Sequence, residues 1–358
     1  DLHSFPTRRS SDLHSPLTFL LVVALLWSLG RTSYQVTVSL ASTRVTVGEP
    51  ALGNVVLRGA AGRAVGSSTI EMPVGRGLAV FRVPRLGAGQ THEEVFTVPT
   101  RRRGLVTVGP VTSVRGDALG LVRRTQRWTD PLDLYIHPRT TALDTTALGF
   151  IRDIEGAVTQ DLSSSDVSFH ALRDYVPGDD RRNVHWRTTA RVGRLMVRQF
   201  EETRRSSLMV VLSTAEADYE DPEHFETAVS VACSLALDAM LQGRQVRLLT
   251  PGASLPTTTP LRLLDASCSL ALEAACDDVS LARRACADHP DASVLVLVTG
   301  QCLPVGDLAR LRGVVPVSMM ALAVRCGQEP FRRRRVGAMD VLDLDRLEDL
   351  PRAMRRLV

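Results

Sequence analysis

The chain has 358 residues, 44% hydrophobic and 23% charged, which allows two or three ordinary domains and excludes both a disordered and a polytopic protein. Aromatics make up only 4%, which argues against a stacking surface for single-stranded nucleic acid, and all 43 basic residues are arginine, which excludes a Schiff-base or P-loop lysine. The net charge of +4 is uneven: arginines outnumber acidic residues 15 to 7 over residues 31–140, 9 to 5 over 170–206 and 9 to 6 from 325 on, whereas acidic residues lead 5 to 1 over 141–169 and 14 to 7 over 207–324. Such blocks imply different surfaces with different partners.

Residues 1–13, DLHSFPTRRSSDL, begin without Met and look like translated sequencing-adapter read-through, so they are set outside the fold. Residues 14–31 read as a transmembrane segment that has lost its start. The uncharged run LTFLLVVALLWSL at 17–29 is about 20 Å long as a helix, against a hydrocarbon core of roughly 30 Å. A signal-peptide core or a buried helix would carry the same run. The truncated span fits best, because Trp27 then sits at an interface and the Arg-rich block behind it supplies a positive-inside signal. This reading places the protein in the inner (cytoplasmic) membrane with its soluble domains facing the cytoplasm.

Residues 32–140 carry short alternating runs punctuated by glycine. Tyr34, Val36, Val38 and Leu40 alternate with polar residues, and residues 78–83 and 132–137 are further β-rich runs, a pattern that predicts a β-sandwich. The triplet Arg101, Arg102 and Arg103 reads as a solvated turn, with lipid headgroup contact as the sharper alternative.

Residues 141–206 form a linker and the most distinctive stretch of the chain. In FHALRDYVPGDDRRNVHWRTTARVGRLMVRQFEE, Pro177 and Gly178 make a turn and Asp179 or Asp180 is placed to cap a helix running to about Arg191. Trp186 and Ala190 lie one turn apart on its expected buried side, Gly193 stops it, and residues 195–200 alternate as a strand.

Residues 207–325 switch to strands alternating with helices. SLMVVL at 207–212 is a buried strand, and Asp221 caps a helix that starts at Pro222 and ends before Gly243. That helix buries Phe225, Val229, Ala232, Ala236 and Met240 on one face. Runs at 246–250, 294–299 and 314–323 supply more strands, so this part reads as a doubly wound α/β domain with a mainly parallel sheet. Residues 326–358 are expected to be a basic C-terminal extension. The six cysteines lack paired or His-adjacent spacing, so they read as reduced thiols, mostly in or near a core, with zinc as the less common alternative.

The stretch around Pro177 resembles the signature L-R-x-Y-x-P-G-D-D-x-R-x-I-x-W-x-x-x-A-R of domain-of-unknown-function family 58 (DUF58), in its actinobacterial type. The matching residues are Leu172, Arg173, Tyr175, Pro177, Gly178, Asp179, Asp180, Arg182, Trp186, Ala190 and Arg191, with Val184 replacing Ile. Residues 117–121, DALGL, resemble the family's D-P-x-G-L with Ala118 in place of Pro. The resemblance implies an α+β multidomain protein: a membrane hairpin whose first helix lies outside this sequence, a β-sandwich, and a von Willebrand factor A-like domain. It also implies partnership with MoxR-type AAA ATPases and other envelope-associated proteins.

The von Willebrand A-like fold often holds a divalent metal through D-x-S-x-S and a later T-D-G, because hard cations need oxygen ligands. Here those positions are degenerate: Ser213 stands for Asp, Ala215 and Ala217 for the serines, and Gly300 for the later Asp. Glu216 or Asp218 could supply an oxygen, but solvated loop carboxylates are commoner, so neither metal nor cofactor is expected. An enzyme acting on an anionic substrate would use Asp179, Asp180 and His185 near Arg173 and Arg182. Capping and Arg–carboxylate pairing give the same residues a structural role, and a membrane-anchored, non-enzymatic scaffold with no catalytic residue is the reading preferred.

Overall fold

The computed structural model describes residues 34–59, 64, 66–116, 123–143, 167–202, 207–274 and 277–357. The adapter-like start, the apolar run at 17–29 and the DALGL stretch lie outside them. The chain divides into two compact units, residues 1–137 and 138–358.

Ten strands make up the described part of the first unit: β1 (Tyr34–Leu40), β2 (Arg44–Thr46), β3 (Ala51–Gly59), β4 (Ser68–Val74), β5 (Gly77–Val83), β6 (Thr91–Val98), β7 (Gly104–Val108), β8 (Thr112–Gly116), β9 (Arg123–Arg127) and β10 (Leu132–His137). One sheet has the order β1-β3-β6 and the other β2-β10-β7-β4-β8-β9, with β5 on β4. Period-two burial along β3 turns Ala51, Gly53, Val55, Leu57 and Gly59 inward. Val55, Leu57 and Phe96 from the first sheet share a core with Ile70, Met72, Leu134 and Ile136 from the second. A β-carbon at Gly53 would come within 2.2 Å of the Phe96 ring, so that position accepts no side chain unless the ring moves. Arg103 is buried, which leaves only Arg101 and Arg102 as solvated members of the triplet.

In the second unit β11 (Val167–Asp174) and β12 (Met196–Glu202) form an antiparallel pair that encloses the signature. A seven-stranded sheet follows, built from β13 (Ser207–Leu212), β14 (Gln245–Leu249), β15 (Ser254–Leu255), β16 (Val294–Gly300), β17 (Met320–Cys326), β18 (Arg332–Val336) and β19 (Met339–Leu344). Its order is β15-β14-β13-β16-β17-β19-β18, parallel except for the two edge strands. The helices are α1 (Trp186–Val192), α2 (Pro222–Leu241), α3 (Pro260–Ser267), α4 (Asp278–Asp288), α5 (Val305–Val314) and α6 (Leu350–Arg355).

Every residue of β13 is buried because the two faces of the sheet are both covered. Leu208, Val210 and Leu212 meet α2 and α6 on one face, and Met209 and Val211 meet α4 and α5 on the other. Among the described residues α2 is the helix long and apolar enough to cross a membrane. Its Phe225, Val229, Leu235 and Ala236 lie in this core, which accounts for the apolar composition without a bilayer.

Two expectations are corrected. The strand expected at 314–323 begins only at Met320: α5 runs to Val314, and Pro316 follows in the turn because it cannot extend a helix. Residues 326–358 are not an appended tail, since β19 is buried throughout and completes the sheet with β18 outside it. Arginines at 332–335 disguise β18 as a solvated tail, yet Arg333 and Arg335 reach Asp340, and Arg334 reaches Asp343.

Asp343 is fully buried and lies 3.6 Å from the guanidinium of buried Arg325 as well as accepting from Arg334 Nε at 2.8 Å. Asp343→Ala leaves Arg325 inside without its carboxylate, so denaturant unfolding is expected to show a loss of about 3 kcal/mol or more. An unchanged midpoint would mean that the pair contributes nothing.

Candidate functional site

The signature folds as an extended turn, a 3₁₀ turn and a short helix laid on β12. Gly178 has φ +114°, a conformation that suits glycine, and the chain then doubles back. Arg173 holds Asp179 with two nearly parallel bonds of 2.7 and 2.6 Å, and the Val176 N–H donates to the same carboxylate at 2.9 Å. The Arg173 guanidinium, helped by that amide, keeps the Asp179 carboxyl below the usual carboxylate range. Asp180 accepts from the Arg182 N–H (2.9 Å) and caps the 3₁₀ turn Arg181–Asn183.

The helix expected from Asp179 to Arg191 is therefore broken. Val184 bridges to Val197 on β12, and α1 starts only at Trp186, where the His185 ring accepts from the Thr188 N–H. The His185 Nδ1 also bonds the Thr188 hydroxyl at 2.7 Å. Tyr175 N–H donates to Leu195 O and His185 N–H to Met196 O, each at 2.8 Å, which ties the turn and α1 to the start of β12.

The largest departure from expectation is Trp186, which is 66% exposed, with Ala190 exposed beside it. The covered side of α1 holds Thr188 and Thr189, and the Thr189 hydroxyl accepts from the Met196 N–H at 3.0 Å. An i, i+4 pair of Trp and Ala resembles a buried stripe, but the two threonines mark the inner arc through their side-chain hydrogen bonds. Pro177, Gly178, Arg182 and Arg191 are exposed and Tyr175 is half-buried. Asp179, Asp180 and His185 each serve a local turn or cap, and among the described residues no hydrogen bond joins any two of them.

A second polar cluster lies where β13 and β16 end, the point at which the sheet order reverses and where open α/β sheets place ligands. The Ser213 hydroxyl donates to Asp218 Oδ2 at 2.6 Å and the Thr299 hydroxyl to the same oxygen at 3.1 Å. The Tyr219 hydroxyl donates to Ser213 O at 2.8 Å. Asp278, the first residue of α4, is buried beside this group, and burial together with the Asp218 carboxylate pushes its carboxyl up to about 7.

The residues at the usual metal-binding positions do not fit a metal of the von Willebrand A type. Ala215 is buried and offers no side-chain oxygen; Ala217 and Glu216 are exposed. A β-carbon at Gly300 would lie 1.9 Å from the carbonyl oxygen of Asp218, so no carboxylate can stand there. The Asp218 loop fills the place, and its carbonyl accepts from the Cys302 N–H at 3.0 Å. Sequence reasoning reached Thr299 through the later T-D-G position and Asp218 as an oxygen donor, and missed Asp278, whose charge partner Asp218 lies far away along the chain.

In comparison with known proteins, residues 171–284 match the family described as "Protein of unknown function DUF58". The chain is 27% identical over 143 residues to the uncharacterized protein YeaD of Bacillus subtilis, a match covering 38% of this chain and 33% of YeaD. The chain thus spans about a third of that relative's length. Among solved structures, the CARDB domain of the PF1109 protein from Pyrococcus furiosus is similar at 15% identity, covering 29% of this chain and 88% of that one with a TM-score of 0.23. A β-glucosidase from Listeria innocua is similar at 15% identity, covering 29% of this chain and 16% of that one with a TM-score of 0.22.

Two outcomes follow from the geometry. Because its ring is exposed, Trp186→Ala should leave the denaturation midpoint within about 0.5 kcal/mol of the parent, where a buried ring would cost roughly 3 to 5 kcal/mol. The raised carboxyl of Asp278 contributes stability that is complete below its ordinary value near 4 and is lost as pH rises through about 7. Melting temperature should therefore fall between pH 5 and 8 in the parent and stay flatter in Asp278→Asn; parallel profiles would reject the assignment.

Proposed function

We propose that this chain is a membrane-anchored, non-enzymatic interaction protein whose DUF58 signature is its contact surface, working with a MoxR-type AAA ATPase in envelope-protein assembly or maturation. In this reading the two sheets of the first unit form a β-sandwich and the parallel sheet of the second is von Willebrand A-like. The observation that carries it is the division of labour within the signature. Its carboxylates are committed to Arg173 and to a cap, while Trp186 and several arginines face solvent. A carboxylate held low by a bidentate arginine is a poor general base, whereas exposed Trp and Arg are the residue types that dominate protein interfaces. The anchor rests on the uncharged run at 17–29 and the Arg-rich residues after it, and the ATPase on the family resemblance.

The full chain is expected to fractionate with membranes and resist carbonate extraction. Alkaline phosphatase fused after Val358 should be inactive, and a co-expressed MoxR-type ATPase should co-purify with the detergent-solubilised chain. An active fusion would reverse the orientation. Turnover of an anionic substrate, abolished by Asp179→Asn in a chain that still melts normally, would replace the scaffold with the enzyme reading.

A further inference from the structure

The turn end of the signature hairpin gathers exposed apolar side chains. Val176 follows Tyr175, whose N–H bonds Leu195 O, and Trp186 follows His185, whose N–H bonds Met196 O. These adjacent backbone links bring Val176 (56% exposed), Leu195 (44%) and Trp186 (66%) to one end of the segment. On α1, at about 100° per residue, Trp186, Ala190, Arg187 and Arg191 occupy one outward arc opposite Thr188 and Thr189, and all four are exposed.

The charge around this face is predominantly positive once its internal pairs are removed. Residues 172–197 hold six arginines and three aspartates. Arg173 is paired with Asp179 and Arg194 with Asp174, and Asp180 caps the 3₁₀ turn. Arg181, Arg182, Arg187 and Arg191 remain exposed with no carboxylate partner among the described residues. An exposed aromatic face flanked by unpaired guanidinium groups presents an apolar seat and a set of bidentate donors together.

We propose that this face docks an acidic segment of a protein partner, which lays one large apolar side chain on Trp186 and sets carboxylates on Arg187 and Arg191. The proposal rests on the interaction reading above and supplies the chemistry of the partner. A protein segment fits better than an anionic bilayer because exposed Asp180, which caps a turn and has no guanidinium partner among the described residues, keeps a negative charge among the free arginines. A face of mixed sign suits discrete, registered pairing, whereas a lipid surface favours a run of one sign.

The test is selection of a random twelve-residue peptide display library on the full-length chain in detergent, followed by affinity measurements on the recovered peptides. The recovered pool should be enriched in Asp and Glu around a single Phe, Trp, Leu or Met. Binding should weaken at least about tenfold in Trp186→Ala and in Arg187→Gln/Arg191→Gln, and should fall as salt rises. Melting curves of the variants, expected to match the parent, separate lost contact from lost fold. No enrichment, a pool without acidic bias, or affinities unchanged in the variants would overturn the proposal. Quenching of Trp186 fluorescence by brominated phosphatidylglycerol, in a Trp27→Phe/Trp128→Phe chain in liposomes, would assign the face to lipid and also overturn it. Failure of the ATPase to co-purify, with acidic peptides still bound through Trp186, would reject that partner and leave this face standing.

Discussion

Burial of the parallel sheet on both faces is the constraint from which the rest of the second unit follows. Every residue of β13 and β16 is buried, so the sheet interior offers no route by which a polar group could reach water. Polar residues are therefore pushed toward the strand ends and the sheet edge: Ser213, Asp218 and Thr299 meet at one junction, and Arg325 and Asp343, near the ends of β17 and β19, meet Arg334 of the edge strand at another. The crevice that such a sheet opens where its strand order reverses is filled by the Asp218 loop packed against Gly300. Two-sided burial thus accounts for both the stability of the sheet and the closure of the position at which α/β proteins most often bind ligands.

The signature hairpin obeys different physics. β11 and β12 form a two-stranded ribbon, which on its own is marginal in water, and among its described side chains only Val184 and Val197 are buried. Its shape is held mainly by directional bonds: the bidentate Arg173–Asp179 pair, the Asp180 and His185 caps, and the backbone links from Tyr175 and His185 to β12. A segment fixed by bonds has no need to hide its apolar residues. Trp186 can therefore be positioned rigidly and still remain outside.

Elements whose burial is carried by a strong local period were legible in the sequence. β13 and β10 fall at the expected residues, and α2 begins at Pro222 behind its Asp221 cap. The errors came where local pattern and tertiary context disagree. Trp186 and Ala190 have the spacing of a buried stripe, yet the hydrogen bonds of Thr188 and Thr189 turn that stripe outward. β18 reads as a charged tail because its arginines find their carboxylates on the neighbouring strand, a pairing invisible along the chain. The place of Asp278 in the Asp218 cluster was out of reach for the same reason, since the cluster's members come from a loop, a helix start and a strand end 81 residues apart at the widest hydrogen bond.

The arginines of β18 also decide how the sheet ends. An edge strand exposes unpaired backbone groups to any other strand that approaches, and cationic side chains keep such strands apart by repulsion. Because these are guanidinium groups, lysine acetylation has nothing to act on. The β18 border of the sheet thus carries a row of guanidinium groups, three of them set by carboxylates on β19, against pairing by a further strand.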